Sequence, residues 1–586
     1  MKKTRPNGIS KIYTPAPGSR DLDFGTIDDF SGVPVVSANI SDVIGGLFKL
    51  YGNDNGEIFV RGDEMFAVID LSSYKGRITL DVTGTMQDRG LMIIAPDPVK
   101  IVLNNVSISS SCTPCLVVNG SERVYLELQG RNIFVDGRKY GTMYSDQEEG
   151  LWYFGSGFKE QISEHAEMVR DFAFGNAGSA SLLCNGAGLV IEGMGSLDVM
   201  AEYGNAVQSS DYIKINGGFL SVLSMGLDGI FCENAFIMNG GEVSVNAIGN
   251  QTGFESNGIV VSGNSKHPGE GQISINGGKL SVSSTGKGLC SAWNGVSAGN
   301  GEADNRPYPR VEFNGGTVNI KTTGTPYSSH SVSGLLMQDG RVSDTIVPDF
   351  SPNAVEAGIR IGMSGGDVKI TSNAHGLCVL NDAVSSIVLQ GGNLDIVSVE
   401  DCFNARGDIF LEGCNVHAVS TDGMVLNPNY YTAYITKGSL VGFGKNEPQD
   451  DMTCIQTTVF LGTEYLGTEG DRIMLTDSDG AVVLDEIIPG RNLTAVFSSE
   501  NLQTNHSYIY AKGVPENGES LTDGGREISF DGNANAYGMP EFKIPEEDYI
   551  TVSEEKPATP VQTAPLSDEE QMRKMIEDLK TKASKE

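Results

Sequence analysis

The chain has 586 residues, room for more than one domain, and its 75 Asp and Glu against 41 Lys and Arg leave a formal charge of −34. A surface of that sign repels nucleic-acid phosphates and argues against a DNA- or RNA-binding role. No run of 18 apolar residues occurs, so no membrane-spanning helix is expected, and nine cysteines, an odd number, speak against a complete intrachain disulfide framework.

Residues 1–40 are rich in Pro and Gly and read as an N-terminal arm. They begin Met-Lys-Lys-Thr-Arg, a basic start with no apolar region behind it, so no conventional signal peptide is expected in the chain as written. Residues 41–136 hold strand-like runs such as Ile78-Thr-Leu-Asp-Val and Lys100-Ile-Val-Leu, expected as the first, atypical coils of a repeat. Cys112 and Cys115 form a lone CxxC, a weak zinc or redox signal without a second pair. Residues 137–180 break the pattern and read as an insertion. Ile162, Ala166, Val169 and Phe172 there have helical spacing, and Trp152 and Tyr153 precede them.

A phrase then recurs: apolar residue, polar residue, Gly-Gly, alternating strand. Its first glycines are Gly217, Gly240, Gly277, Gly315, Gly365 and Gly391, with a decayed copy at Gly413. The short gaps of 22 to 26 residues define a unit, and the longer ones are that unit plus an insertion. After each glycine pair the period is two, as in Leu220 and Val222 or Val243 and Val245, which predicts strands rather than helices. A unit this short, with glycine corners, predicts an all-β, right-handed parallel β-helix over 41–451. The expected insertions are 137–180, 247–272, 291–310 and 324–360. Propeller blades of ~40–45 residues are too long for it.

A second ladder follows each glycine pair: Asn205, Asp228, Asn257, Lys287, His375, Asp401 and Asp422, each before a small residue. Such corners are commonly Asn or Asp bonding nearby backbone. The sharper reading stacks carboxylates on adjacent coils, where a cation would relieve their repulsion. Asp228, Asp401 and Asp422 are therefore the candidate calcium ligands. Trp293, Tyr308 and Tyr327 lie in the insertions, and Tyr430 and Tyr431 follow the last repeat. All five are candidates for stacking on sugar rings, although aromatics at solenoid ends also seal cores. Residues 452–514 switch to hairpins around Asp479-Gly480 and read as a small β cap, and 515–566 as an acidic linker. Ser567 and Glu570 form a capping box before Met572, Met575, Ile576 and Leu579, predicting a short amphipathic helix at 567–586 that docks on its own body, another copy or a partner.

The Asn-Gly-Gly strands, the Asp-Gly-Ile corner that follows and the closing region from Gln456 to Lys512 resemble a bacterial family of carbohydrate-binding β-helix proteins. The resemblance implies a polysaccharide-lyase-like architecture, binding of cellulose or pectic acid and calcium near corner carboxylates. Lys287 and His375 stand where it expects acids, so no continuous calcium ladder is expected, and the helical tail lies outside it. The leading expectation is a non-catalytic, calcium-assisted polysaccharide binder at a cell or virion surface. The alternatives are a structural phage-tail or surface-assembly component, and a calcium-dependent lyase in which Lys287 is the one base with positional logic.

Overall fold

The computed structural model describes residues 28–542 except 44–45, 63–65, 112, 121–122, 138–142, 147–150, 155–179, 203, 250–255, 264–270, 292–308, 337–341, 348, 381–384, 447–451, 464–465, 467, 504–505, 513–525 and 532–540. Among these residues the protein is all-β, with a single helical turn of the 3-10 kind at Ile40–Asp42.

One coil shows the plan. Tyr212–Ile215 runs along a first face, Asn216-Gly217-Gly218 turns a corner, Phe219–Ser224 forms the second face and Ile230–Cys232 the third. Each strand pairs in parallel with its counterparts one coil before and one after. Ile213 faces Leu189 and Phe236, Leu220 faces Leu197 and Val243, and Ile230 faces Val207 and Ile259. The first two faces merge into a 24-stranded sheet and the third is a 14-stranded one. The result is a three-sided parallel β-solenoid.

The alternation of the repeat is what fills its interior. Leu220, Val222, Val243, Val245, Leu280 and Val282 are all buried in one continuous core. Each such side chain contributes about 1.5–3 kcal/mol through removal from water. The corner needs both glycines. Gly278 has φ +82, and a Cβ there would lie 2.6 Å from the Gly241 carbonyl oxygen of the coil beneath. At Gly277 a Cβ would lie 2.8 Å from the Asn239 carbonyl oxygen. The asparagine before them stacks into a ladder: Asn239 Nδ2 donates to Asn216 Oδ1 (2.9 Å), Asn276 to Asn239 (2.8 Å) and Asn314 to Asn276 (2.9 Å).

Several segments read as arm, insertion or linker carry strands of the fold. Val35–Asn39 pairs in parallel with Thr79–Thr83. Ile259–Val261 and Val355–Ala357 are third-face strands inside the expected insertions 247–272 and 324–360. Three-residue strands buried on both sides show no alternation, so periodicity misses them. Arg526–Asp531, within the expected linker, adds a strand beside Ser507–Tyr510. The expected helices near 158–172 and at 567–586 lie outside the described residues.

The cap is continuous with the solenoid. Thr494–Ser498 runs antiparallel to Gly444–Leu440 of the last coil, and Val419 and Phe443 share a core with Ile473, Leu475, Phe497 and Tyr508. The Asp479-Gly480 hairpin forms as expected, with Asp477 Oδ1 accepting from Asp479 N (2.9 Å) and Ala481 N (2.8 Å).

Candidate functional site

A cluster of charged side chains lines an open groove on the first face near the N-terminal end. Four stacked strands, Ile78–Gln87, Val99–Ser110, Arg123–Gln129 and Gly188–Gly193, align two outward columns. One reads Thr79, Lys100, Tyr125, Val190 and the other Asp81, Val102, Glu127, Glu192. Residues Asp28, Phe30 and Ser31 form the facing wall of a groove of about 550 Å³. A second recess of about 530 Å³ shares Glu127 and Gln129 with it and passes the Gly193–Gly195 corner to the half-exposed Phe219. Together they make one trough from the first face to the second.

The trough is built by charge as well as by backbone. Lys100 Nζ lies 2.6 Å from Glu127 Oε2 and 3.0 Å from Glu192 Oε1. Burial works against the Lys100 ammonium, but the two carboxylates hold it above the usual lysine range. Burial likewise works against the Glu127 carboxylate, and Lys100 and Gln129 hold it below the usual range. Asp81 Oδ1 is buried without a hydrogen-bond partner. The wall is clasped by Asp28, whose carboxylate accepts from Arg123 Nε (2.8 Å), Arg77 (2.7 Å) and the Tyr125 hydroxyl (3.1 Å). The Tyr125 ring packs edge-on against Phe30, centroids 5.2 Å apart.

The corner ladder is a column of side-chain acceptors, each capping the backbone of the next coil. Asn205 Oδ1 accepts from Asp228 N (2.9 Å), Asp228 Oδ1 from Asn257 N (2.9 Å), and Asn257 Oδ1 from Lys287 N (2.8 Å). Asn353 Oδ1 accepts from His375 N (3.2 Å), His375 Nδ1 from Asp401 N (3.2 Å), and Asp401 Oδ1 from Met424 N (2.8 Å). Two positions differ from the sequence reading. Asn353, hidden in an expected insertion, stands between Lys287 and His375, and Met424 rather than Asp422 follows Asp401.

The three candidate calcium ligands therefore do not meet. Asp228 and Asp401 are five coils apart, about 24 Å at strand spacing. Asp228 Oδ1 also takes Asn257 Nδ2 (2.8 Å), and burial pushes its carboxyl up to about 6. Asp401 Oδ2 takes the amides of Asn404 and Asn427, both at 2.8 Å. Asp422 is exposed and paired with Lys445, which holds it below the usual carboxylate range. Amide donors aimed at the carboxylates are the wrong surroundings for a cation, and among the described residues no three His, Cys, Asp or Glu gather as a metal site needs.

The aromatic candidates are scattered. Trp293 and Tyr308 lie outside the described residues. Tyr327 stacks on Phe350 at 5.2 Å, Tyr430 is 93% exposed and Tyr431 is half-buried. Tyr434 stacks on Phe410 at 4.9 Å and 5°, which spends one face of each ring on the other. Sequence reasoning missed Asp28, Asp81, Lys100, Glu127 and Glu192. The outward alternation of the last four was visible, but which strands stack could not be read where the Gly-Gly marker is absent, and Asp28 lies ahead of the first strand.

No curated protein matches the chain. A solved structure described as the polysaccharide lyase-like protein from C. thermocellum, a gadolinium derivative, aligns over 61% of this chain and 96% of that one, with 14% identity and a TM-score of 0.32. A family model described as carbohydrate-binding domain-containing protein matches residues 74–423, more than half of the chain and nearly all of the solenoid. The chain belongs to that carbohydrate-binding family.

Proposed function

We propose that the protein is a non-catalytic polysaccharide-binding solenoid, acting at a cell or virion surface, whose glycan lies in the first-face trough. The observation that carries this is the trough itself, an elongated recess lined by carboxylates, an amide and apolar edges. Hydroxyl-rich ligands bring the donor that Asp81 Oδ1 lacks and add to those that Glu127 and Glu192 receive from Lys100. Lys100 is engaged by two carboxylates and stays an ammonium, so it is poorly placed as a lyase base. Glu127 stays ionised and is no acid for a glycosidase. Carboxylates outnumber the one lysine, which favours neutral chains over polyuronates.

Calorimetric titration with neutral β-glucan or xylan oligomers and with oligogalacturonate, each with and without chelator, tests this. Neutral oligomers should bind without calcium, and Glu192→Gln or Asp81→Asn should weaken them about tenfold, the worth of a hydrogen bond in a desolvated site. Unchanged affinity in both variants would move the glycan elsewhere, and ultraviolet-absorbing unsaturated products would make the protein a lyase.

A further inference from the structure

We propose that Lys287 and Asn353 are joined by an intramolecular isopeptide bond that the chain forms by itself, with Glu356 carrying the protons. These residues meet on the third face, where two coils far apart in sequence come together. Gly288 N donates to Asn353 O over 3.1 Å and Leu289 pairs with Val355, so Lys287 and Asn353 hold consecutive corner positions. Glu356 is 4% exposed and Asn353 3%. Glu356 takes Lys287 Nζ on Oε1 and Asn353 Nδ2 on Oε2, the latter at 2.7 Å. On its other side the Asn353 amide oxygen accepts from Ser351 Oγ (2.9 Å) and His375 N (3.2 Å).

The Asn353–Glu356 contact repeats the three-residue pairing of Asn205 with Gln208 and of Asn404 with Asp401, and at this corner a lysine joins it. Every other corner side chain from Asn205 to Asp401 offers an acceptor to the coil above, and Lys287 has none. Asn353 N turns to Ser351 O instead, at 2.9 Å. What the lysine does offer is an amine that shares one buried carboxylate with the Asn353 amide nitrogen, while two donors sit on the amide oxygen.

The step balances without a co-reactant. Burial works against the Lys287 ammonium, while Cys290 and Glu356 on balance hold it above the usual lysine range, so the resting pair is ionic and the attacking amine is its minor form, reached when a proton passes to Glu356 Oε1. Nζ then attacks Asn353 Cγ, and the charge developing on Oδ1 faces the Ser351 hydroxyl and the His375 N–H. The Cγ–Nδ2 bond breaks as Nδ2 takes a proton through Glu356 and leaves as ammonia. The second proton shed by Nζ rests on Glu356 until ammonia carries it off as ammonium. One C–N bond forms, one breaks, and nothing is oxidised or reduced.

Intact-mass measurement of the full-length purified protein decides it. The expected mass is that of the sequence less one ammonia, and proteolysis should give a branched peptide linking Lys287 to Asn353. Glu356→Gln and Lys287→Arg should both restore the full mass. A wild-type mass equal to the unmodified sequence overturns the proposal whether or not the variants fold. So does an ammonia loss that maps to another residue, such as a succinimide at one of the Asn-Gly steps, or that persists in Glu356→Gln.

Discussion

Asp228 does the work of an asparagine. Its neighbours in the corner column, Asn205 and Asn257, make the same cap to the next coil, and its own Oδ1 accepts from Asn257 alone. Burial pushes its carboxyl from an ordinary 3.8 up to about 6, so the folded state holds the proton more tightly than the unfolded chain. The penalty is absent below the ordinary value, grows as pH rises and is complete above about 6. Asp228→Asn should therefore stabilise the protein by about 1–3 kcal/mol at pH 7.5 and by almost nothing at pH 4, read as the shift in chemical-denaturation midpoint at each pH. A loss of stability at pH 7.5 in this variant would return Asp228 to a cation-binding role. The sequence showed that these corners recur. It could not show that the carboxylates would spend their oxygens on neighbouring coils, because that depends on which coil lies above which.

At the scale of the element, the Asn-Gly-Gly corner was legible because its cause is local. Positive φ and close approach of backbone both demand glycine, and both demands repeat with the coil. Gly278→Ala should cost about 2–4 kcal/mol, combining the left-handed backbone penalty with a Cβ driven to 2.6 Å from the Gly241 oxygen. Gly480→Ala is the matched control. Its φ is +83 but nothing lies within 4 Å of a Cβ there, so only about 1–2 kcal/mol should be lost. Equal losses in equilibrium unfolding would mean that contact between coils is not what fixes the corner. Elements without a local cause were the ones misread. The short third-face strands Ile259–Val261 and Val355–Ala357 exist because flanking coils bury them, and Arg526–Asp531 because Ser507–Lys512 offers an edge.

At the scale of the molecule, two ends are closed in different ways. The C-terminal end shares a hydrophobic core with its cap. At the N-terminal end Ile40, Val43, Ile58 and Val60 are buried in the solenoid's own core, and on its flank the buried carboxylate of Asp28 sits between Arg77, Arg123 and Tyr125 and supplies a wall of the trough. Asp28→Ala leaves the half-buried Arg123 without its partner and should cost about 3 kcal/mol in thermal or chemical unfolding. It should also weaken glycan binding, whereas a variant with normal stability and normal binding would remove Asp28 from both roles. The solenoid was readable from the repeat, but the trough was not. Its carboxylates come from coils that lack the glycine marker, and its wall comes from a segment read as an arm.

The most direct test of the account is amide hydrogen exchange of the whole protein with and without a saturating neutral oligosaccharide. Slowed exchange should concentrate in Ile78–Gln87, Val99–Ser110, Arg123–Gln129 and Gly188–Gly193, the strands that floor the trough, together with the corner leading to Phe219. Protection confined to the insertions or to the tyrosines near 430, with these strands unchanged, would contradict it.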